Sequence, residues 1–184
     1  MPSRSPIDAA LARPLSGTEV SERLGGPVYR YKELGAMAEL PPRPFAVLYE
    51  DAERSGHYCC VIDTRDAAGR PCVEMFDSYG MAPDRQREFI PKEYLEASGQ
   101  GRPYLARLLL PFDNVAYSSQ RLQHLRPGIS TCGRWCVARS ACNYQSAEQF
   151  ADVMKRTAKS NRTSLDRLVC RLVPVPPEPD NHML

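Results

Sequence analysis

The chain lacks the features that mark membrane, secreted and nucleic-acid-binding proteins. Its 184 residues contain no run of eighteen apolar residues, so we expect no membrane span. The N-terminus has no apolar signal-peptide core, which argues against secretion. The formal net charge is only +2, which by itself does not indicate a nucleic-acid partner. A hydrophobic content of 42% and a charged content of 25% fit one ordinary globular domain.

Cysteine is present in an odd number, which does not fit a disulfide framework. Most of the seven cysteines lie inside apolar runs, so the pattern indicates free thiols in a reducing compartment. Six of them are predicted to be small buried hydrophobic residues: Cys59, Cys60, Cys72, Cys136, Cys142 and Cys170. The seventh, Cys132, lies in a different sequence context.

The order of the predicted elements indicates an α+β domain with a central, mostly antiparallel sheet flanked by helices. Four segments have strand patterns: 45–50, 57–63, 72–77 and 114–118. Helical signals follow Ser16, Asp84, Cys132 and Ser146, and 165–172 adds one more helix, whereas 104–110 fits a strand or a buried segment. The domain is predicted over 16–173, between a loose tail at 1–15 and a Pro-rich tail at 174–184.

Cys132 stands where a loop containing Pro127 and Gly128 gives way to a helix. Apolar residues recur behind it at near-helical spacing: Trp135, Cys136, Val137, Ala138, Ala141 and Cys142. The first turn of a helix offers free N–H groups and the positive end of the dipole, and both lower a thiol pKa. We therefore predict that Cys132 is a nucleophile at the N-terminus of a buried helix.

A thiolate nucleophile needs a base, and the chain offers only His57, His124 and His182. Pairing His57 directly opposite Asp77 centres a hairpin turn on position 67, inside the predicted loop 64–70. Their Cβ atoms would then lie roughly 4.5–5.5 Å apart. The carboxylate is predicted to hold the imidazole in one tautomer and to stabilise its cation.

A glutamine before the cysteine completes the candidate site. The amide of Gln123, nine positions before Cys132, can donate to an oxyanion alongside the backbone N–H of Cys132. Gln120 competes for the same role. Without the cysteine and the glutamine, His57 and Asp77 would fit a surface pair worth at most about 1 kcal/mol.

Four motifs occur in an order that resembles a known family: Gly56-His57-Tyr58, Met75-Phe-Asp-Ser-Tyr-Gly80, Gln120-Arg-Leu-Gln123 and Thr131-Cys-Gly-Arg-Trp-Cys136. Together they resemble the adenovirus-type (adenain-like) maturation cysteine proteases and their relatives in polinton-like elements and virophages. More distantly they resemble the SUMO-protease clan. The resemblance covers about residues 16–156. It departs from the family at Tyr58, where a tryptophan is usual over the histidine, and in a longer loop before the cysteine.

The resemblance implies a permuted papain arrangement and peptide-bond hydrolysis without a cofactor or metal. Cys132 would be the nucleophile, His57 the general base and then acid, Asp77 the orienting acid, and Gln123 part of the oxyanion hole. The implied role is a viral endopeptidase that cleaves capsid and core precursors at glycine-containing sites during virion maturation. It would act in the host nucleus or cytoplasm and in the virion.

Two further partners come with this family, because adenain is stimulated by viral DNA and by a small peptide. A DNA-binding surface is predicted from scattered arginines: Arg85, Arg87, Arg102, Arg107, Arg121 and Arg126. Other functions compete with the viral protease. A deubiquitinase or SUMO-type protease would use the same site, and an acetyltransferase of this clan would need additional cofactor-binding sequence. A non-enzymatic zinc protein would use Cys132, Cys136, Cys142 and His57.

Overall fold

A computed structural model of the chain describes residues 5–53 and 55–175. Within them the strands are β1 Val28–Arg30, β2 Phe45–Ala52, β3 Ser55–Arg65, β4 Pro71–Phe76 and β5 Val115–Tyr117. The α-helices are α1 Pro6–Ala12, α2 Gly17–Leu24, α3 Lys92–Ala97, α4 Tyr104–Leu109, α5 Cys132–Ala141, α6 Ala147–Ser160 and α7 Leu165–Leu172. Short 3₁₀ helices span Tyr31–Ala36 and Arg85–Phe89.

The five strands form one sheet in the order β1-β2-β3-β4-β5. The pairs β2–β3 and β3–β4 are antiparallel, whereas β1 and β5 join the two edges in parallel. The predicted α+β class is confirmed. The sheet is mixed: its long central pairs are antiparallel, as predicted, and its short edge pairs are parallel. Helical segments lie between β1 and β2 and between β4 and β5, because two parallel strands have to be joined by a crossover connection.

The sheet separates two hydrophobic cores because successive strand side chains point to opposite faces. On β3, Tyr58, Cys60 and Ile62 belong to the core that α2, α5, α6 and α7 cover. Cys59 and Val61 belong to the opposite core, with side chains of the first 3₁₀ helix and α4. Helix α5 therefore lies against the central strand, with Trp135 and Cys136 fully buried.

The β3–β4 hairpin corrects the predicted strand register. Val61 pairs with Met75 and Arg65 with Pro71, so Asp77 falls level with Cys59 rather than opposite His57. The Asp66 carboxylate accepts the N–H groups of Ala68 and Arg70 at 2.9 Å, and Gly69 has φ 78°. This turn centres the hairpin on position 68, and turn geometry fixes register in a hairpin.

The predicted loose tail at 1–15 is wrong for its described part. Ser5 caps α1 by accepting the N–H of Asp8, and Leu11 and Leu15 are buried. Asp8 also pairs with Arg167 of α7 at 2.7 Å. The segment folds onto the domain because this removes the apolar side chains of Leu11 and Leu15 from water. Of the predicted C-terminal tail, residues 176–184, with His182, lie outside the described residues.

Asp84 does not have the predicted role of capping the helix that directly follows it. It precedes the 3₁₀ helix Arg85–Phe89 without capping it, and it has φ 67°. Its carboxylate instead accepts the backbone N–H groups of Leu105 and Ala106 at 3.3 and 2.8 Å. The segment from residue 104 is thus a capped helix, and the strand alternative is wrong.

A fully buried ion pair joins α5 to the sheet. Arg139 of α5 donates to both carboxylate oxygens of Glu74 on β4, at 2.9 and 2.7 Å. The remaining guanidinium donors bond Thr64 Oγ1 and the carbonyls of Cys142 and Gln145. These contacts replace the water that would otherwise solvate the two charges. Removing either charge therefore leaves the other buried and uncompensated.

Glu74→Gln is therefore expected to lower the free energy of unfolding by about 3–5 kcal/mol, since it leaves a buried guanidinium without its counter-charge. Urea denaturation followed by circular dichroism measures the change. Glu88→Gln is the matched control, because Glu88 pairs with Arg85 at the surface, where solvent screens both charges and the pair contributes little. Equal effects of the two substitutions would contradict this account.

Candidate active site

The site lies where β3 extends past the end of its partner strand β4. β4 ends at Phe76, opposite Cys60, whereas β3 starts at Ser55. The chain after Phe76 turns away and leaves a gap beside the first residues of β3. In that gap His57 Nε2 and Asp77 Oδ1 lie 3.0 Å apart, and both residues are buried. The side chains reach each other diagonally, since the two residues are not directly opposed.

Asp77 has donors on both oxygens. Oδ1 also accepts the backbone N–H of Tyr79 at 2.7 Å, and Oδ2 accepts from Gln86 Nε2 at 2.6 Å and Cys59 Sγ at 3.5 Å. Burial opposes its ionisation, but the charge of His57 and these hydrogen bonds hold the pKa of Asp77 below its ordinary value. A charged, fixed carboxylate therefore faces the imidazole.

His57 is correspondingly biased towards its cation. Burial favours the neutral ring, but the Asp77 carboxylate outweighs it and raises the pKa of His57 well above its ordinary value. The Tyr79 ring stacks on the imidazole, with centroids 4.5 Å apart and planes inclined by 17°. Tyr58 lies on the opposite face of β3, close to Gly133 at the start of α5, so the ring that stacks on His57 is that of Tyr79.

Cys132 is the first residue of α5, is buried, and lines the same cleft as His57. Nε2 of the imidazole faces Asp77, so Nδ1 is the ring nitrogen that the carboxylate does not engage. Burial raises the pKa of Cys132, but His57 and the N–H groups of Tyr58 and Gly133 outweigh it, so the pKa lies below its ordinary value.

The glycine after the cysteine is required by packing. A Cβ at Gly133 would lie 2.9 Å from Val20 Cγ2 and 3.2 Å from Leu15 Cβ. Helix α2 and the segment before it therefore press directly on the start of α5. This contact explains the Cys-Gly sequence and makes the N-terminal segment part of the site's support.

Four of the other cysteines have a pKa shifted in the opposite direction. Burial raises the pKa of the Cys59, Cys72, Cys136 and Cys170 thiols. Cys136, one turn beyond Cys132, donates its S–H to the carbonyl of Tyr58 at 3.5 Å. All seven cysteines are free thiols, and Cys142 is half-buried while the rest are buried.

Gln123 reaches the same cleft through the turn that follows Asp77. The carbonyl of Ser78 accepts the N–H groups of Leu122 and Gln123 at 2.9 Å, and Ser78 Oγ donates to Gln123 Oε1 at 2.8 Å. Gln123 Nε2 donates to Tyr79 Oη at 3.2 Å. Gly80, with φ 75°, permits this contact because a Cβ there would lie 2.7 Å from the Ser119 carbonyl.

The structure separates the two glutamines that the sequence left open. Gln123 is buried and lines the cleft together with His57 and Cys132. Gln120 instead accepts a hydrogen bond from Lys155 of α6 and is not among the cleft residues. Of the two glutamines, Gln123 is the one that shares the cleft with the Cys132 thiol.

The cleft has a volume of about 1290 Å³ and a chemically mixed lining. Its apolar side chains are Met81, Phe89, Tyr94, Leu125 and Ile129. Its charged side chains include the acids Glu19, Glu50, Asp51 and Glu53 and the bases Arg13 and Arg30. The volume exceeds the roughly 300–1,000 Å³ that is typical of small-molecule pockets.

The predicted zinc set is wrong. Cys132 and Cys142 are ten residues apart along α5, which separates them by about 15 Å along the helix axis. Among residues 5–53 and 55–175, the group with ligand atoms close enough for one metal ion is His57, Cys59 and Asp77, whose atoms lie within 4.8 Å. These three side chains already hydrogen-bond through Asp77.

No family model matches the chain. Over 124 residues it is 33% identical to "Uncharacterized protein V9" of Sputnik virophage, a match that spans 67% of this chain and 69% of V9. The chain belongs to the V9 family. A virophage relative supports a viral origin. None of the helices in the described part of the chain has the length and apolar character needed to cross a membrane.

Sequence reasoning missed several residues that hold this site together. Ser78 and Tyr79 belong to the motif from Met75 to Gly80, so their position directly after Asp77 could have identified them as site residues. Gln86 is nine residues from Asp77, and nothing in its local pattern marks it as a partner. The missed residues act by contacts between separate loops, which local periodicity does not report.

At neutral pH, Cys132 is expected to be alkylated by iodoacetamide faster than Cys136, because the pKa of Cys132 is lowered whereas burial raises the pKa of Cys136. His57→Ala should move the inflection of the Cys132 rate–pH curve upwards, since it removes the neighbouring charge that lowers this pKa. Mass spectrometry identifies the modified residue. Preferential labelling of Cys136, whose pKa is raised, would overturn the assignment.

Proposed function

We propose that this V9-family protein is a viral cysteine endopeptidase of the adenain-like kind. The observation that carries the proposal is one cleft lined by Cys132, His57 and Gln123, with Asp77 buried behind the histidine. A thiol with a lowered pKa, a histidine with a raised pKa and an oriented carboxylate are the groups that thiol proteolysis requires.

In the proposed reaction, the Cys132 thiolate attacks the scissile carbonyl carbon and the oxygen becomes an oxyanion. The backbone N–H of Cys132 and the Gln123 amide, which has a second N–H besides the one bonded to Tyr79, donate to that oxygen. His57 gives its proton to the leaving amine, and a thioester forms. His57 then takes a proton from water, which attacks the thioester and releases the thiol.

We further propose capsid or core precursor polypeptides as substrates, cut at glycine-containing sites in the infected cell or the virion. The virophage relative supports a viral origin, and the aromatic rings of Tyr58 and Tyr79 beside the nucleophile favour residues without bulky side chains. The chain itself supplies the four reacting groups, so no cofactor enters the mechanism.

Cys132→Ala is expected to lower the turnover of a glycine-containing precursor by roughly 10⁴-fold or more, because the nucleophile is removed. Cys136→Ala should retain turnover, since that thiol donates to the carbonyl of Tyr58 on β3 and is not among the cleft residues. Incubation with virophage structural proteins, followed by mass spectrometry of the products, gives the rates and the cut sites. Full cleavage by Cys132→Ala would refute the proposal.

The same assay separates related activities and tests the partners. Substrates that end in the ubiquitin or SUMO C-terminus, if cleaved faster than capsid precursors, would assign the enzyme to that clan's other branch. Non-specific DNA and short viral peptides, added in turn, test activation. Stimulation by DNA should decline as salt rises, because phosphate contacts release counterions.

Gln123→Ala is expected to reduce kcat by roughly 10²–10³-fold with little change in KM, because an oxyanion donor acts mainly in the transition state. Gln120→Ala is the matched control and should leave kcat within about twofold, since Gln120 bonds Lys155 outside the cleft. If Gln120→Ala were the damaging substitution, the oxyanion assignment would be wrong.

A further inference from the structure

The loop between Gln123 and Cys132 must hold both residues in register, although its middle is exposed. Leu125 is 63% exposed, and Gly128 has φ 81° in a turn where Ile129 N–H bonds the Arg126 carbonyl. Such a loop does not fix its own ends. The anchoring has to come from contacts at the residues next to Gln123 and Cys132.

One buried carboxylate contacts both ends of the loop, in addition to the Ser78 bonds to Gln123 and a bond from the Ser130 N–H to the Leu11 carbonyl at 2.7 Å. Asp166, in the first turn of α7, is 1% exposed. Its Oδ2 accepts the backbone N–H and Nδ1 of His124 at 3.1 and 2.7 Å, and its Oδ1 accepts Thr131 Oγ1 at 2.7 Å. His124 follows Gln123 directly, and Thr131 immediately precedes Cys132. One side chain therefore joins the two ends of the loop.

The contact with Thr131 also affects the helix start. A threonine preceding a helix ordinarily accepts a first-turn N–H with its side-chain oxygen. Thr131 makes no such cap, and its hydroxyl donates to Asp166 instead. The N–H groups of Gly133 and Arg134, which a threonine cap would bond, are thus not covered by the threonine. Trp135 Nε1 also lies 3.4 Å from Asp166 Oδ1 and ties the same carboxylate to α5.

We infer that Asp166 is a positioning residue that sets the Gln123 amide relative to the Cys132 backbone N–H and so shapes the oxyanion hole. The inference rests on the proposed function for its effect on turnover. The anchoring itself rests only on the contacts of Asp166 with His124 and Thr131. Asp166 makes no bond to His57 or Asp77 among those found in the described residues, so the thiol–imidazole pair is set separately.

In Asp166→Asn, the side-chain NH₂ group replaces one acceptor oxygen, so at least one of the hydrogen bonds to His124 and Thr131 is lost. Asp166→Ala removes all of these bonds. We expect kcat to fall roughly tenfold for the first and a hundredfold for the second, with little change in KM, because small misplacements of catalytic groups are costly. Thr131→Val, which loses only the bond at the cysteine end, should lower kcat by a smaller factor. Glu148→Gln, another acid in the first turn of a helix, is the matched control and should leave kcat unchanged.

Three readouts separate positioning from loss of folding. The iodoacetamide rate of Cys132 should stay within about twofold in all these variants, because alkylation needs no oxyanion hole. In a double-mutant cycle, Asp166→Asn should cost less in the Gln123→Ala background than in the wild type. Amide hydrogen exchange over residues 124–131 should quicken in the Asp166 variants and not in Glu148→Gln.

The outcomes distinguish this inference from the proposed function. If the wild type cleaves and Asp166→Asn retains full kcat, or if kcat and alkylation fall in parallel, the positioning role is wrong. If the wild type cleaves no peptide, the proposed function is wrong, and the anchoring is then decided by hydrogen exchange alone. Should Asp166→Ala fail to fold, Asp166→Asn and Thr131→Val carry the same test.

Discussion

The candidate site depends on one buried negative charge. Asp77 is removed from water, yet both of its oxygens accept hydrogen bonds, from His57, Tyr79, Gln86 and Cys59. A carboxylate in such a place needs donors or a counter-charge, because otherwise burial would neutralise it. The imidazolium is that counter-charge, and it in turn favours the thiolate of Cys132. The charge state of three residues therefore follows from a single desolvated group.

A second carboxylate has a different task on the other side of the cysteine. Asp77 fixes the base, whereas Asp166 fixes the loop that brings Gln123 back to the start of α5. The Glu74–Arg139 pair, also buried, keeps α5 against the sheet. Each of these acids connects elements that are distant in sequence. Together they hold one helix terminus in a defined place relative to one strand.

The comparison of sequence and structure shows why some errors did no harm. The predicted hairpin register was wrong by two residues, because the Asp66–Gly69 turn shifts the centre from position 67 to 68. A shift of two preserves the face on which a side chain lies, so His57 and Asp77 still meet. The N-terminal segment was a more serious error. Its leucines cover the start of α5, and a Pro- and Ser-rich composition concealed that contact.

Local sequence signals were enough to predict the α+β class, the helix that starts at Cys132, the strands that carry His57 and precede Asp77, and two candidate glutamines. These signals are periodicity, caps and motif order. The packing of distant segments, in contrast, places Gln123 rather than Gln120 in the cleft, stacks Tyr79 on His57, and brings Gln86 and Asp166 to the site. Those relations are contacts across long sequence separations, which depend on how the turns and helices pack and leave no pattern in the local sequence.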